Sequence, residues 1–294
     1  MKNLQPVIKW SGSKRSQARA IVSLVSGRYG TYYESFCGGC SVLYYILNNR
    51  PELFRRYVCN DINEPLIELY RLIVSDHRRV WKSYTELWHG LNDGKGAGDL
   101  DKKKEYFYKV RDEFNRTHSP ELFFFIMRTT TNGMPRYNAD GDFNNSFHFT
   151  RDGITPDGAL EVLEEWSRTL NRHNVEFRSG SYDRISPESD DFLYLDPPYY
   201  NTKGMYYGTI DFDGLWNYLR GVPCDYFLSF DGLAGDIDLT APVPSDIYDE
   251  HRLLDGGNSS FRRLIGKSRD TIVRESLYIR KKRNTNILAI NKLF

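Results

Sequence analysis

The 294-residue sequence has few of the residues that usually carry metal or redox chemistry, with four cysteines and six histidines. The histidines show no H-E-x-x-H or comparable ligand spacing. The one C-x-x-C pair, Cys37 and Cys40, finds no second compact pair in Cys59 and Cys224, so a structural zinc site is not expected. All four cysteines read as free thiols acting as small apolar residues. No apolar run approaches the roughly 20 residues that a membrane-spanning helix needs. The opening MKNLQPVIKW lacks the apolar core of a signal peptide. These absences lead us to expect a soluble cytoplasmic protein with no membrane partner. Gly266-Lys267-Ser268 is not a phosphate loop, because Phe261 stands where that motif requires glycine. No internal repeat is present.

A formal net charge of +1 does not call for a polyanionic partner, but the charge is uneven: Phe261 to Arg283 holds nine lysines or arginines against Asp270 and Glu275. Such a patch attracts phosphates or guards a terminal strand against aggregation. The length suffices for one large domain or two ordinary ones.

Three strand-like runs end in polar residues: Tyr32 to Ser35, Tyr57 to Asn60, and Phe192 to Leu195. A short helix over Val42 to Asn48 between the first two makes a βαβ unit, the core of a parallel sheet. Lys14 to Val25 has helical spacing, and further strands are expected at Glu176 to Arg178, Tyr226 to Ser229 and Ser276 to Arg280. From Glu64 to about Asn115 the pattern is helical, broken by glycines at Gly94 to Gly98. The aromatic run through Asp101 to Arg116 and Glu121 to Met127 predicts the core of a small helical domain. TNGMPRYNADGDFNNSFH follows, with successive turn signals that predict a projecting loop or hairpin.

Two stretches concentrate the chemistry. In YYESFCGGCSV a strand meets Gly38 and Gly39 and then a helix, an arrangement that turns sharply and lets a ligand approach the backbone. Asp61 ends the next strand about twenty residues on, where an acid accepts hydrogen bonds from ribose hydroxyls. Asp61 also suits a helix cap, as do Asn60 and Asn63. Together the turn and the acid predict a site for an adenosine-containing cofactor. In DFLYLDPPYY, Asp196 sits at a strand's carboxyl end, and Pro197 and Pro198 stiffen the backbone beyond it. An exocyclic amino group on a base is a poor nucleophile because its lone pair is conjugated with the ring. The Asp196 carboxylate and the Pro197 carbonyl form two acceptors that can hold such an amino group and free its lone pair, while Tyr199 stacks on the base.

With these residues in place the chain resembles the Dam-like (D12 class) family of DNA adenine-N6 methyltransferases, over Lys9 to Tyr199. Lys9 to Lys14, KWSGSK, is similar to the family's K-W-x-G-x-K, which implies cofactor contacts for Trp10 and Lys14 and a DNA contact for Lys9. Phe36, Gly38 and Ser41 match the glycine motif, and Asp61 matches the acid after the second strand. Arg136, Asn138, Gly141, Phe143 and Asn144 fit R-x-N-x-x-G-x-F-N, preceded by Asn132-Gly133.

The resemblance implies a Rossmann-like α/β methyltransferase fold with a mixed seven-stranded sheet and an inserted helical target-recognition domain. The boundaries implied are a catalytic domain over 1–62 and 152–294 and a recognition domain over 63–151. It further implies S-adenosyl-L-methionine as methyl donor, double-stranded DNA as partner, a monomer, and adenine flipped from the duplex. In a modification role the further partner is a cognate restriction endonuclease. Asp196, Pro197, Pro198 and Tyr199 become the catalytic set, Asp196 also joins Trp10, Lys14, Phe36, Gly38, Gly39, Ser41 and Asp61 at the cofactor, and Lys9, Thr131, Asn132, Arg136 and Asn138 are the DNA contacts. Arginine is the commonest bidentate partner of guanine, so Arg136 is expected to read a base edge.

Three residues depart from the family's pattern. Cys40 replaces the second glycine of F-x-G-x-G, leaving Gly39 to supply the close approach. Ser13 replaces a glycine of K-W-x-G-G-K. Thr131 stands where Dam-like enzymes often carry a wedging aromatic. The same fork chemistry also suits cytosine N4 or RNA adenine, and Cys40 and Ser13 keep open a non-catalytic DNA-binding relic of the fold.

Overall fold

A computed structural model describes residues 5–92, 99–150, 152–198, 210–256 and 273–282. In chain order the elements are α1 (Ala18–Ser23), β1 (Tyr29–Glu34), α2 (Ser41–Asn49), β2 (Phe54–Asp61), α3 (Glu64–Asn92), α4 (Leu100–Thr117) and α5 (Pro120–Thr129). There follow α6 (Pro156–Arg172), β3 (Glu176–Ser179), β4 (Phe192–Leu195), α7 (Phe212–Gly221), β5 (Asp225–Ala234), β6 (Ile237–Asp238), β7 (Glu250–Asp255) and β8 (Val273–Arg280).

The strands form one mixed sheet in the order β3-β2-β1-β4-β5-β8-β7. This seven-strand path is joined by the two-residue β6, which pairs with β5 and brings the sheet to eight strands. From β3 to β5 the pairings are parallel, and β8 is antiparallel to both β5 and β7. β4 shows why its four residues are all apolar or aromatic. Phe192 and Tyr194 enter the core on one face, while Leu193 and Leu195 enter the core on the other beside Leu215 and Leu219 of α7. Strand alternation thus puts every residue of β4 into a core.

The expected helices α2 to α5 form, and α3 breaks at Asp76, whose side chain accepts from the Arg79 N–H and starts the helix again. Lys14 to Val25 is not one helix: a 3-10 turn over Lys14–Ser16 and the short α1 are separated at Gln17. α6 and α7 were not anticipated. α6 nevertheless carries clear signals, with Thr155 capping, Pro156 in its first turn, and Ala159, Leu163, Trp166 and Leu170 on its buried face. β7 is an edge strand whose residues are mostly exposed, so no apolar pattern marks it.

The aromatic run of α4 and α5 is core, as expected: Phe107, Phe114, Phe123, Phe124 and Phe125 are fully buried. α3 packs along both α5 and α6, so this helical layer shares a continuous apolar core with one face of the sheet. The segment after α5 is a hairpin-like loop held by bridges between Thr130 and Phe147 and between Tyr137 and Phe143. Gly94 to Gly98, Gly266-Lys267-Ser268, and Arg262, Arg263, Lys267, Arg269 and Arg283 lie outside the described residues. Of the basic stretch within them, Arg280 pairs with Asp249 and Lys282 donates to the Val222 carbonyl. No helix among the described residues is long and apolar enough to cross a membrane.

Candidate active site

The strand order reverses between β1 and β4, and the carboxyl ends of the parallel strands open there onto a cleft of about 360 Å³. This is the crevice in which open α/β sheets bind ligands, and its size falls in the roughly 300–1,000 Å³ of small-molecule sites. Glu34 and Ser35 reach it from β1, Asp61 from β2, Gly180 from β3, and Asp196 from β4.

The glycine turn is built around two partners. Gly38 has φ +43 and donates its N–H to Asp61 Oδ2 at 3.0 Å. A Cβ on Gly38 would stand 2.4 Å from Trp10 Nε1, and one on Gly39 would stand 3.1 Å from Trp10 Cβ. Trp10 thus lies on the turn, and the missing side chains serve its packing. Asp61 Oδ1 accepts from the Asn63 N–H, and it is Asn63, through Oδ1, that accepts from the Leu66 N–H in the first turn of α3. Burial pushes the Asp61 carboxyl up to about 6, against the hydrogen bonds from Asn63 and Gly38 that favour its charge.

Of the departures from the family pattern, Ser13 finds a structural reason and Cys40 is strained. Ser13 Oγ bonds Ser41 Oγ at 2.6 Å, tying the K-W-S-G-S-K segment to the start of α2. Cys40 takes the left-handed conformation, φ 50, that favours glycine, and its thiol is wholly buried. Left-handed backbone costs a non-glycine residue about 1 to 3 kcal/mol.

Asp196, Pro197 and Pro198 line the cleft, and Tyr199 lies outside the described residues. Lys14, expected at the cofactor, borders the cleft and also meets Asp196: its Nζ stands 2.7 Å from Asp196 Oδ1. It also donates to the Gly12 carbonyl at 3.0 Å and pairs with Glu275 Oε2 at 3.4 Å. Asp196 Oδ2 has no hydrogen bond among the described residues, and the hydroxyl of Tyr194, two residues earlier in β4, meets Ser229 Oγ at 2.9 Å. Burial raises the Asp196 carboxyl to about 6, with Lys14 opposing and Glu275 reinforcing the rise.

Trp10, Lys14, Phe36, Gly38, Gly39, Ser41 and Asp61 all border this one cleft. Several bordering residues were missed. Glu34 is buried beneath the turn, accepting from the Tyr32 hydroxyl at 2.8 Å and the Leu43 N–H at 3.0 Å, and burial holds its carboxyl well above the usual range. Tyr182, packed on Phe36, and Asp183 follow β3, and Asp211 caps α7. The sheet's carboxyl edge was the available signal for the β3 residues, had that strand's position next to β2 been known. Among the described lining residues, five carboxylates face a single lysine, so the cleft favours a cationic guest.

The expected DNA contacts cluster beside the cleft, with only Pro135 of the hairpin bordering it. Ser11 donates its N–H to the Gly133 carbonyl at 2.9 Å, so the hairpin turn sits on the K-W-S-G-S-K segment. Lys9 is half-buried against Gly133. Thr131 is tied in by its N–H and hydroxyl to Ser146 and Phe147, so it is not available as a wedge. Asn132, exposed with φ 60, is the outward residue of the turn, and Asn145 clamps the turn by donating to the Thr131 and Met134 carbonyls, both at 2.9 Å. Asn138 accepts from the N–H groups of Asp140 and Asp142 and so shapes the hairpin tip, while the Arg136 side chain is exposed.

The family model for D12 class N6 adenine-specific DNA methyltransferases matches residues 10–215. The chain belongs to this family. It is 30% identical over 210 residues to the type II methyltransferase M.MjaIII of Methanocaldococcus jannaschii, covering 67% of this chain and 69% of that protein. It is 30% identical over 206 residues to the DNA adenine methylase of Escherichia coli K12, covering 68% and 66%. It is 25% identical over 207 residues to the type II methyltransferase M1.LlaDCHI of Lactococcus lactis subsp. cremoris, covering 67% and 66%. The methyltransferase therefore spans about two thirds of the length of these relatives. Glu275 of β8, which pairs with Lys14, lies beyond the matched residues.

Proposed function

We propose that this protein transfers a methyl group from S-adenosylmethionine to N6 of an adenine flipped out of double-stranded DNA, with residues 63–151 recognising the target. The observation that carries the reading is the position of Asp196: at the carboxyl end of β4, in the same cleft as the glycine turn and Asp61, with Lys14 against Oδ1. S-adenosylmethionine, when bound, supplies an electrophilic methyl group on a sulfonium. The residues present fit it: a carboxylate-rich cleft suits its cationic end, Asp61 retains lone pairs for ribose hydroxyls, and the Trp10 and Phe36 rings border the same space.

Asp196 Oδ2 and the Pro197 carbonyl accept the two N–H bonds of the adenine amino group. This takes the lone pair out of conjugation; with the donor bound, the N–C bond would form as the sulfonium C–S bond breaks to a neutral thioether, and the nitrogen would then lose one proton to water. Lys14 fixes the other Asp196 oxygen, so the fork needs no reorganisation when the base enters. Pro198 restricts the backbone behind it, and Tyr199 is assigned to stack on the base. Lys9, Asn132 and Arg136 are assigned to DNA, and Thr131 and Asn138 to holding the surface that carries them. The chain acts as a monomer, and the type II relatives support a modification role alongside an endonuclease.

The test is incubation with unmethylated genomic DNA and methyl-labelled S-adenosylmethionine, followed by digestion to nucleosides. Label in N6-methyladenine is the expected result. Label in N4-methylcytosine, or none, would contradict the reading.

A further inference from the structure

A second carboxylate stands behind the reactive one. The Lys14 side chain is 3% exposed, and its ammonium has three donors, with Asp196 Oδ1, the Gly12 carbonyl and Glu275 Oε2 around it at 2.7, 3.0 and 3.4 Å. Glu275 belongs to β8, on the antiparallel side of the sheet, opposite a local distortion of β5. The β5–β8 register shifts between Phe230 and Leu233, so Asp231 and Gly232 together oppose Glu275. A Cβ on Gly232 would stand 2.2 Å from the Arg274 carbonyl oxygen and 3.0 Å from Glu275 Cα, so the close approach of the two strands requires glycine.

We infer that Glu275 is a positioning residue for methyl transfer: it holds and partly neutralises Lys14, so that Lys14 orients Asp196 through Oδ1 without weakening Oδ2 as the acceptor for the amino group. The inference rests on the reading of Asp196 given above. Its physical content is a balance of charge. With one carboxylate, a buried lysine would draw fully on Asp196 and make it a poorer acceptor. With two, the lysine is shared, and Asp196 keeps the electron density needed to accept an N–H. The charged or titratable groups facing Asp196 among the described residues are Lys14, Glu275, Glu34 of β1 and Tyr194 of β4. Of these, Glu275 is paired directly to the lysine that touches Asp196.

The test is the pH profile of kcat for Glu275→Gln in the full-length protein, with S-adenosylmethionine and DNA saturating. Glu275 raises the Asp196 carboxyl, so its neutralisation moves the acid limb of kcat to lower pH. At pH 7.5 kcat falls roughly tenfold, less than the 10²–10³ lost when a direct electrostatic partner is removed, with KM for both substrates unchanged. Glu275→Asp restores the limb towards its wild-type position, whereas Lys14→Met moves it to higher pH. Carbon-13 titration of the Asp196 carboxyl in the absence of DNA gives the same directions independently of turnover. An acid limb and carboxyl titration that coincide with wild type in Glu275→Gln overturn the inference, whatever happens to stability. Asp196→Ala is measured alongside: if it is inert while Glu275→Gln matches wild type, only the role of Glu275 falls. If Asp196→Ala still turns over at the wild-type rate, the reading of the fork falls first.

Discussion

The N–H of Ser11 donates to the carbonyl of Gly133 at 2.9 Å, which joins the segment bordering the cofactor cleft to the turn that presents Asn132. Gly133 has φ +62, and a Cβ there would stand 2.5 Å from Lys9 Cβ and 2.7 Å from the Lys9 carbonyl carbon. The two segments therefore meet main chain to main chain, and the contact leaves room for no side chain.

Gly133→Ala tests that junction. The left-handed backbone costs a side chain about 1 to 3 kcal/mol, and the clash with Lys9 must also be relieved by separating the segments. The expected outcome is weaker binding of DNA together with weaker binding of S-adenosylmethionine, read by titration calorimetry with each ligand. Loss of DNA affinity alone would show that the junction does not couple the two sites.

Gly38→Ala addresses the cofactor turn. The added Cβ meets Trp10 Nε1 at a built distance of 2.4 Å, and φ is +43, so both the ring position and the turn are disturbed. Affinity for S-adenosylmethionine should fall about tenfold, near 1.4 kcal/mol, within the usual strain of such a backbone. Trp10→Ala should remove the steric part only, so a double-mutant cycle gives a coupling energy different from zero. Strict additivity of the two changes would contradict the packing described here.

Arg136→Ala concerns the sequence that is read. Its side chain is exposed on the hairpin beside the cleft, while the hairpin itself is held by Asn145 and the bridges at Thr130 and Tyr137. Removing it should cost about 1 to 3 kcal/mol of discrimination at one base pair, measured as relative kcat/KM over a panel of single-base site variants. Equal losses at every position would assign Arg136 to phosphate binding.

The acid limb of kcat should fall near pH 6. Burial raises the Asp196 carboxyl to about 6; with the Lys14 ammonium at Oδ1 the proton goes to Oδ2 and turns the fork's acceptor into a donor. Transfer is therefore present above that value and is lost as pH falls through it. A limb near 4, the range of an exposed aspartate, would mean that burial does not control this group.

Much of this site was legible because its residues end elements that periodicity reveals. Asp61 ends β2, whose second half is buried throughout, Asp196 follows the all-apolar β4, and Gly38 and Gly39 mark the turn into α2. What was hidden depends on distance along the chain. Lys14 reads as a cofactor ligand by its motif, yet its Asp196 contact exists only once β4 lies next to β1. Glu275 lies in a strand with no motif, and its pairing with Lys14 exists only once β8 has joined the sheet beside β5. The exposed β7 offers no burial pattern at all, and Asp61 could not be separated from a helix cap until Asn63 was seen to fill that role. The domain limits are harder to draw from the sequence than the helices themselves, because α3 packs on both α5 and α6 within one continuous core.

The most direct test of the central claim is a single-turnover experiment with Asp196→Ala, enzyme in excess over labelled DNA, with S-adenosylmethionine binding followed in parallel by calorimetry. The account predicts cofactor affinity within a few-fold of wild type and no measurable methyl transfer, because the residue holds the amino group and carries little of the core. Transfer at the wild-type rate with cofactor bound would contradict it.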